Sequence, residues 1–206
     1  MQIACRQETA PFQDEIDQFR QLDKQQPPPK NAILFIGGST FRLWSDVQQY
    51  FPGYTIINRG YGGGALKDII HYAPDIIFPY HPKQVVIYAG DNDLASSDMI
   101  TATIVFQRFQ TLFTMIRRKQ PNVPVVYISI KPSPSRIRLL PKARQVNAMI
   151  QNYLKTQRHT AYVDIFSLML NEAGKPKPEL FGADSLHMKP AGYAIWQKAL
   201  QPYLLK

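Results

Sequence analysis

Cysteine is nearly absent from this chain of 206 residues. The single one, Cys5, rules out an internal disulfide framework. It stands near the start, away from every glycine-rich turn, and is read as incidental. Long apolar runs are missing too. None approaches the ~20 residues that a membrane-spanning helix needs, so no span is expected. The stretch Met1-Gln2-Ile3-Ala4-Cys5 is too short to hold a signal peptide's apolar core. A leader removed upstream would leave the same sequence, so a cytoplasmic and an exported protein both fit. There is no internal repeat and no low-complexity stretch. Metal-ligand patterns are sparse. The four histidines, His71, His81, His159 and His187, do not cluster, and Asp91 with Asp93 are too few for a hard-cation site. No metal is expected. A Gly-x-x-x-x-Gly-Lys phosphate loop is lacking. So is a Gly-x-Ser-x-Gly elbow, which argues against an α/β-hydrolase fold.

What is present is an ordinary folded composition with a basic balance. An apolar fraction of 45% excludes bulk disorder. The length suits one well-filled core, so residues 1–206 are expected to form a single domain. Residues 1–30 would be an N-terminal helix and a proline-rich lead-in, and 31–206 the core. The net charge of +9 raises nucleic acid as a partner. The cations are scattered, with no basic stripe interleaved with aromatics, so no nucleic-acid partner is expected. Arg136, Arg138 and Arg144 leave two options open, contact with an anionic substrate or solvated surface charge.

Strands and helices alternate along the chain. Phe12, Ile16, Phe19 and Leu22 predict a helix with an acidic start. Strands are expected at 32–36, 54–58, 84–89, 125–130 and 161–165. A short helix should run from Ser39 to about Tyr50. Another spans 65–72, breaks at Pro74 and continues to Phe78. Ser97 could cap a long helix closed by Arg117, Arg118 and Lys119. Further helices are expected at about 138–157, with His159 at its end, and from Pro190 to about Tyr203. This alternation predicts a parallel sheet covered on both faces. In such sheets ligands bind beyond the carboxyl ends of the strands. Three of these ends carry polar or glycine-rich turns: 37–40, 60–64 and 90–93.

The first turn is Ile36-Gly37-Gly38-Ser39-Thr40. Glycines allow a tight turn and close approach to a ligand. A helix start beyond them aims free N–H groups at the same place. Ser39 is then either a nucleophile or a helix cap. Acyl transfer would also need a base, a group to orient it, and oxyanion donors. Of the histidines, His187 stands out, because Asp184 lies three residues before it in a turn and can reach its ring. Asp184 and Ser185 could equally only shape that turn. The Ser39 N–H, a glycine N–H from 62–64 and the Asn92 amide are candidate donors. Gly60 and Gly62 with Ala65 also fit a dinucleotide fingerprint in its alanine form, and that reading stays open on these residues alone.

Four blocks occur in order: Phe35-Ile36-Gly37-Gly38-Ser39-Thr40, Asn58-Arg59-Gly60-Tyr61-Gly62-Gly63-Gly64, Tyr88-Ala89-Gly90-Asp91-Asn92-Asp93 and Asp184-Ser185-Leu186-His187. Together they resemble the SGNH hydrolases, the GDSL-type esterase and lipase superfamily, over roughly residues 30–203. The resemblance implies a three-layer α/β/α sandwich with a parallel five-stranded sheet, similar to flavodoxin. It implies a serine esterase without cofactor, acting on a small-molecule ester with a small acyl group such as acetyl. Ser39 would be the nucleophile, His187 the base and Asp184 its partner. The oxyanion hole would be the Ser39 N–H, the Gly63 N–H, with Gly62 as the alternative, and the Asn92 side chain. An acyltransferase, or a non-catalytic binding module on this fold, are the other functions it allows. Two departures stand out. Gly38 replaces the aspartate of the usual Gly-Asp-Ser. Asp91 and Asp93 flank Asn92, either to bind substrate hydroxyls or to bond nearby backbone.

Overall fold

The computed structural model describes residues 10–206; Cys5 lies outside them. Among the described residues the strands are β1 (Ile33–Gly37), β2 (Ile56–Gly60), β3 (Gln84–Tyr88), β4 (Val125–Ile128) and β5 (Thr160–Val163). They form one parallel sheet in the order β2-β1-β3-β4-β5. The helices are α1 (Gln13–Gln25), α2 (Ser39–Arg42), α3 (Val47–Tyr50), α4 (Leu66–Ile76), α5 (Asp91–Ser96), α6 (Ala102–Lys119), α7 (Leu140–Leu154) and α8 (Pro190–Leu200).

Alternate residues of each strand serve opposite cores. Leu34, Ile36, Val85, Ile87, Val125 and Tyr127 pack under α1, α4, α6 and α7. Ile33, Phe35, Val86, Tyr88, Val126 and Ile128 pack under α2, α3 and α8. Both faces are covered, which is why the strands read as nearly unbroken apolar runs. The result is the expected three-layer α/β/α sandwich.

Strand order reverses beside β1. Gly37 of β1 is level with Gly60 of β2 and Tyr88 of β3, so the three polar turns open side by side at the switch point. An aromatic cluster fixes what lies above them. Trp44, just after α2, stacks on Tyr193 of α8 at 4.8 Å, and Trp196 packs edge-on against Tyr88 at 4.7 Å. The Tyr193 hydroxyl also donates to the Thr40 carbonyl at 2.8 Å. Ser39 and the turn before α8 are thereby tied to one rigid body. Truncating a ring such as Trp196, fully buried here, typically costs about 3–5 kcal/mol.

Several local expectations are corrected. Pro74 does not break its helix: α4 runs through it to Ile76. It lies exposed in the last turn, where the carbonyl left by its missing N–H can meet water. Ser97 is not the cap of α6. Thr101 is, accepting the Ile104 N–H, while Ser97 closes α5 and binds the Met99 N–H. The helix placed at 138–157 begins at Leu140 and ends at Leu154, after a 3-10 turn over Pro134–Leu139. His159 therefore ends no helix; it precedes β5 with φ 54°. Helix α5 was expected only as a turn, because six residues are too few to display a helical period.

Candidate active site

Ser39 is the first residue of α2, directly after β1 and Gly38. Its own N–H has no partner within the helix at this position. Its Oγ lies 2.9 Å from His187 Nε2. His187 Nδ1 lies 2.5 Å from Asp184 Oδ2. The other carboxylate oxygen, Oδ1, accepts the Leu186 and His187 N–H groups at 2.9 and 3.0 Å. These two backbone donors, and then the His187 ring, pull the Asp184 carboxyl down to about 2. It is therefore ionised at neutral pH and can hold a proton on Nδ1, leaving Nε2 as an acceptor facing Ser39. Asp184 thus reaches the His187 ring with one oxygen and shapes the turn with the other. Ser185, between them, is left-handed with φ 56°. Its carbonyl accepts both the N–H and the hydroxyl of Ser135 at 3.0 Å. The Gly182 N–H binds the His187 carbonyl at 2.8 Å.

The second turn lies across from this one. The Gly62 N–H is taken by Glu15 Oε2 at 2.6 Å, so Gly62 is not free to serve as a donor. Gly63 adopts φ +75°, a conformation that favours glycine. Its flanking residue Gly64 accepts a hydrogen bond from Asn92 Nδ2 at 3.1 Å. Gly38 faces the same amide: a Cβ there would come within 2.9 Å of Asn92 Nδ2 and 3.1 Å of the Gly64 oxygen. A side chain at position 38 would therefore push on that amide and on the Gly64 carbonyl. The structure thus brings Ser39, His187, Asp184, Asn92 and the Gly63–Gly64 turn into one cluster. Asn58 acts in support, tying β2 to α2 by donating to the Phe41 carbonyl at 2.7 Å, while its oxygen accepts the N–H of Gly60 in its own strand at 2.9 Å.

Beneath Asn92 lies a polar network that the sequence did not reveal. Asp91 accepts from Tyr88 Oη at 3.0 Å and from the Asn92 N–H at 2.9 Å. Its Oδ2 also pairs with Lys131 Nζ at 3.3 Å and with an Arg136 guanidinium nitrogen at 3.1 Å. Burial drives the Asp91 carboxyl up, but the two cations and the Tyr88 hydroxyl together leave it below its ordinary value. Burial lowers Lys131 more than its neighbours raise it. Lys131 also donates to Thr40 Oγ1 at 3.2 Å, so the network reaches the residue next to Ser39. Asp93 is likewise structural, accepting the Leu66 N–H at 2.8 Å and Arg108 at 2.7 Å. Of the three arginines in question, Arg136 alone joins the site, donating to Asn92 Oδ1 at 2.8 Å. Arg138 is exposed near Asp98, and Arg144 lies over the Phe166 ring at 4.6 Å. Glu15, in the acidic start of α1, reaches both Gly62 and Arg42, the latter at 3.1 Å. Among the described residues no cluster of metal-ligating side chains occurs, and no helix is long and apolar enough to cross a membrane.

Fold and site define a class, the α/β/α hydrolases that set a serine against a histidine–aspartate pair. The chain belongs to the GDSL-like Lipase/Acylhydrolase family, whose sequence pattern matches residues 35–195. It is accordingly a carboxylic ester hydrolase. No curated relative matches it. Similar solved structures include a candidate platelet activating factor from Streptococcus pneumonia, 22% identical with TM-score 0.82, over 93% of this chain and 92% of that one. A GDSL-like lipase from Bacteroides thetaiotaomicron is 20% identical with TM-score 0.79, over 91% and 96%. An acetyl-xylooligosaccharide esterase from Geobacillus Stearmophilus is 15% identical with TM-score 0.67, over 87% and 96%. At these identities the likeness is one of fold.

Proposed function

We propose that the protein is a serine esterase that cleaves a small-acyl ester, such as an acetyl ester, through an acyl-enzyme. The observation that carries this reading is the continuous line Ser39 Oγ, His187 Nε2, His187 Nδ1, Asp184 Oδ2, with spacings of 2.9 and 2.5 Å. Ser39 Oγ attacks the ester carbonyl and its proton passes to His187 Nε2. Asp184 stabilises the imidazolium without taking the proton. The Ser39 N–H, the Gly63 N–H and Asn92 Nδ2 hold the oxyanion. His187 then protonates the leaving alcohol. Water, deprotonated by His187, attacks the acyl-Ser39 ester and releases the acid.

Gly63 is favoured over Gly62 because Glu15 already engages the Gly62 N–H. The preference for acetyl draws on the fold shared with the Geobacillus acetyl-xylooligosaccharide esterase. The test is hydrolysis of p-nitrophenyl acetate, butyrate and octanoate by the wild type and by Ser39→Ala, with folding followed by circular dichroism. We expect acetate to be the best substrate and a folded Ser39→Ala to be inactive. Equal rates in both proteins would remove Ser39 as the nucleophile; a preference for octanoate would remove the small acyl group alone.

A further inference from the structure

We propose that Arg136 is a positioning residue that fixes which way the Asn92 amide faces. The proposal rests on the reading of Asn92 as an oxyanion donor. A guanidinium has five N–H donors and no acceptor. The Asn92 atom 2.8 Å from its terminal nitrogen must therefore be the oxygen, Oδ1. The opposite edge of the amide agrees. Nδ2 faces the Gly64 carbonyl at 3.1 Å, where an oxygen would meet another acceptor. One Nδ2 hydrogen is spent on Gly64. The other is left for the oxyanion, and the amide nitrogen lies close to Gly38, where an added Cβ would stand 2.9 Å from it. Without Arg136 the Gly64 carbonyl alone would oppose the flipped amide, which presents an acceptor to the oxyanion.

Arg136 is itself held in place. A second guanidinium nitrogen lies 3.1 Å from Asp91 Oδ2, as an ion pair without hydrogen-bond alignment. Asp91 is fixed in turn by Lys131 and Tyr88. The preceding residue, Ser135, is anchored to the Ser185 carbonyl. A lysine could satisfy Asp91 but lacks the planar fork that reaches Asn92 at the same time.

The experiment is a double-mutant cycle. Steady-state kinetics on p-nitrophenyl acetate are measured for the wild type, Arg136→Met, Asn92→Ala and the double variant, with urea unfolding as a check on folding. Arg136→Met should lower kcat about ten- to a hundredfold, approaching the loss of an oxyanion donor, with KM changed by less than about twofold. In the Asn92→Ala background the same substitution should cost less than about twofold, because its target is gone. Arg136→Lys should recover only part of kcat, and it carries the same cycle if Arg136→Met does not fold. Losses that multiply, a rise in KM alone, or an unchanged kcat each overturn the role of Arg136. Near-normal turnover by Asn92→Ala sinks the donor assignment itself, and the proposal with it; a crippled Asn92→Ala with multiplying losses sinks only the proposal.

Discussion

Asp184 and Asp91 stand on opposite sides of one small site and are held by opposite means. The Asp184 side chain is 50% exposed and bonds to residues two and three positions ahead. That of Asp91 is 10% exposed and is held by two cations from another loop. An exposed carboxylate loses little solvation and needs only local donors. A buried one must be paired, and removing a partner leaves a charge with nowhere to go. The His187 side should therefore carry chemistry at little structural cost, whereas the Asn92 side should carry both geometry and stability.

His187→Ala is the hardest test of that division. Activity should fall about 10⁴- to 10⁶-fold, the scale for removing the base of a serine hydrolase. Stability should move by about 1 kcal/mol or less, because the partly exposed ring leaves no buried charge behind. Kinetics on p-nitrophenyl acetate and urea unfolding on the same preparations check both. A strongly destabilised His187→Ala would erase the contrast between the two sides.

Lys131→Met probes the other side. Its Nζ touches Asp91, Tyr88 and Thr40 and never reaches the reacting atoms. Breaking a buried pair by removing one partner costs about 3–5 kcal/mol. Arg136 still faces Asp91, so the lower part of that range is expected. In an Asp91→Leu background, where Arg136 has also lost its partner, Lys131→Met should cost clearly less than it does in the wild type, because the charge that Lys131 serves is gone. Urea midpoints of the single and double variants decide this. Losses that simply add in the double variant would show that Asp91 is not the residue that Lys131 serves.

The same contrast explains what could be read from the sequence. The β-α alternation, the three strand-end turns and the Asp184–His187 pair are local patterns, so they were legible. So was Ser39, since a glycine turn after an apolar strand announces its place. Lys131 and Arg136 were not legible, because they lie 40 residues from Asp91 and 44 from Asn92. Nothing in Lys131-Pro132-Ser133-Pro134-Ser135-Arg136 says which turn it will meet. Its prolines excluded regular helix but not its role as a brace. Glu15 was missed for another reason. An acidic residue in a first helical turn already has an explanation in the helix dipole, and that explanation hid its bond to Gly62.

Glu15 gives a smaller test. It accepts the Gly62 N–H at 2.6 Å and so sets the peptide that precedes the Gly63 N–H. Glu15→Ala removes a charged hydrogen bond, on the scale of about 1.5–3 kcal/mol. Part of that should appear in turnover, as a fall in kcat of roughly tenfold with KM little changed. An unaltered kcat would mean that the Gly62–Gly63 turn holds its shape unaided.

The smallest effect concerns pH and falls on Asp184. Its carboxyl is drawn down to about 2 in the folded chain by the Leu186 and His187 N–H groups and then the His187 ring. The unfolded value is about 3.8. A depressed carboxylate stabilises the fold above the unfolded value, and that contribution is lost as pH falls through the folded one. The urea midpoint of Asp184→Asn should therefore lie slightly below that of the wild type above about pH 4, and the gap should close toward about pH 2. Exposure and screening keep the gap below that of Lys131→Met at the same pH. No gap at any pH would place the stabilisation in the turn's shape, which asparagine shares, and not in the charge. A gap as large as that of Lys131→Met would mean that Asp184 is held like Asp91, and the two sides of the site would no longer differ in kind.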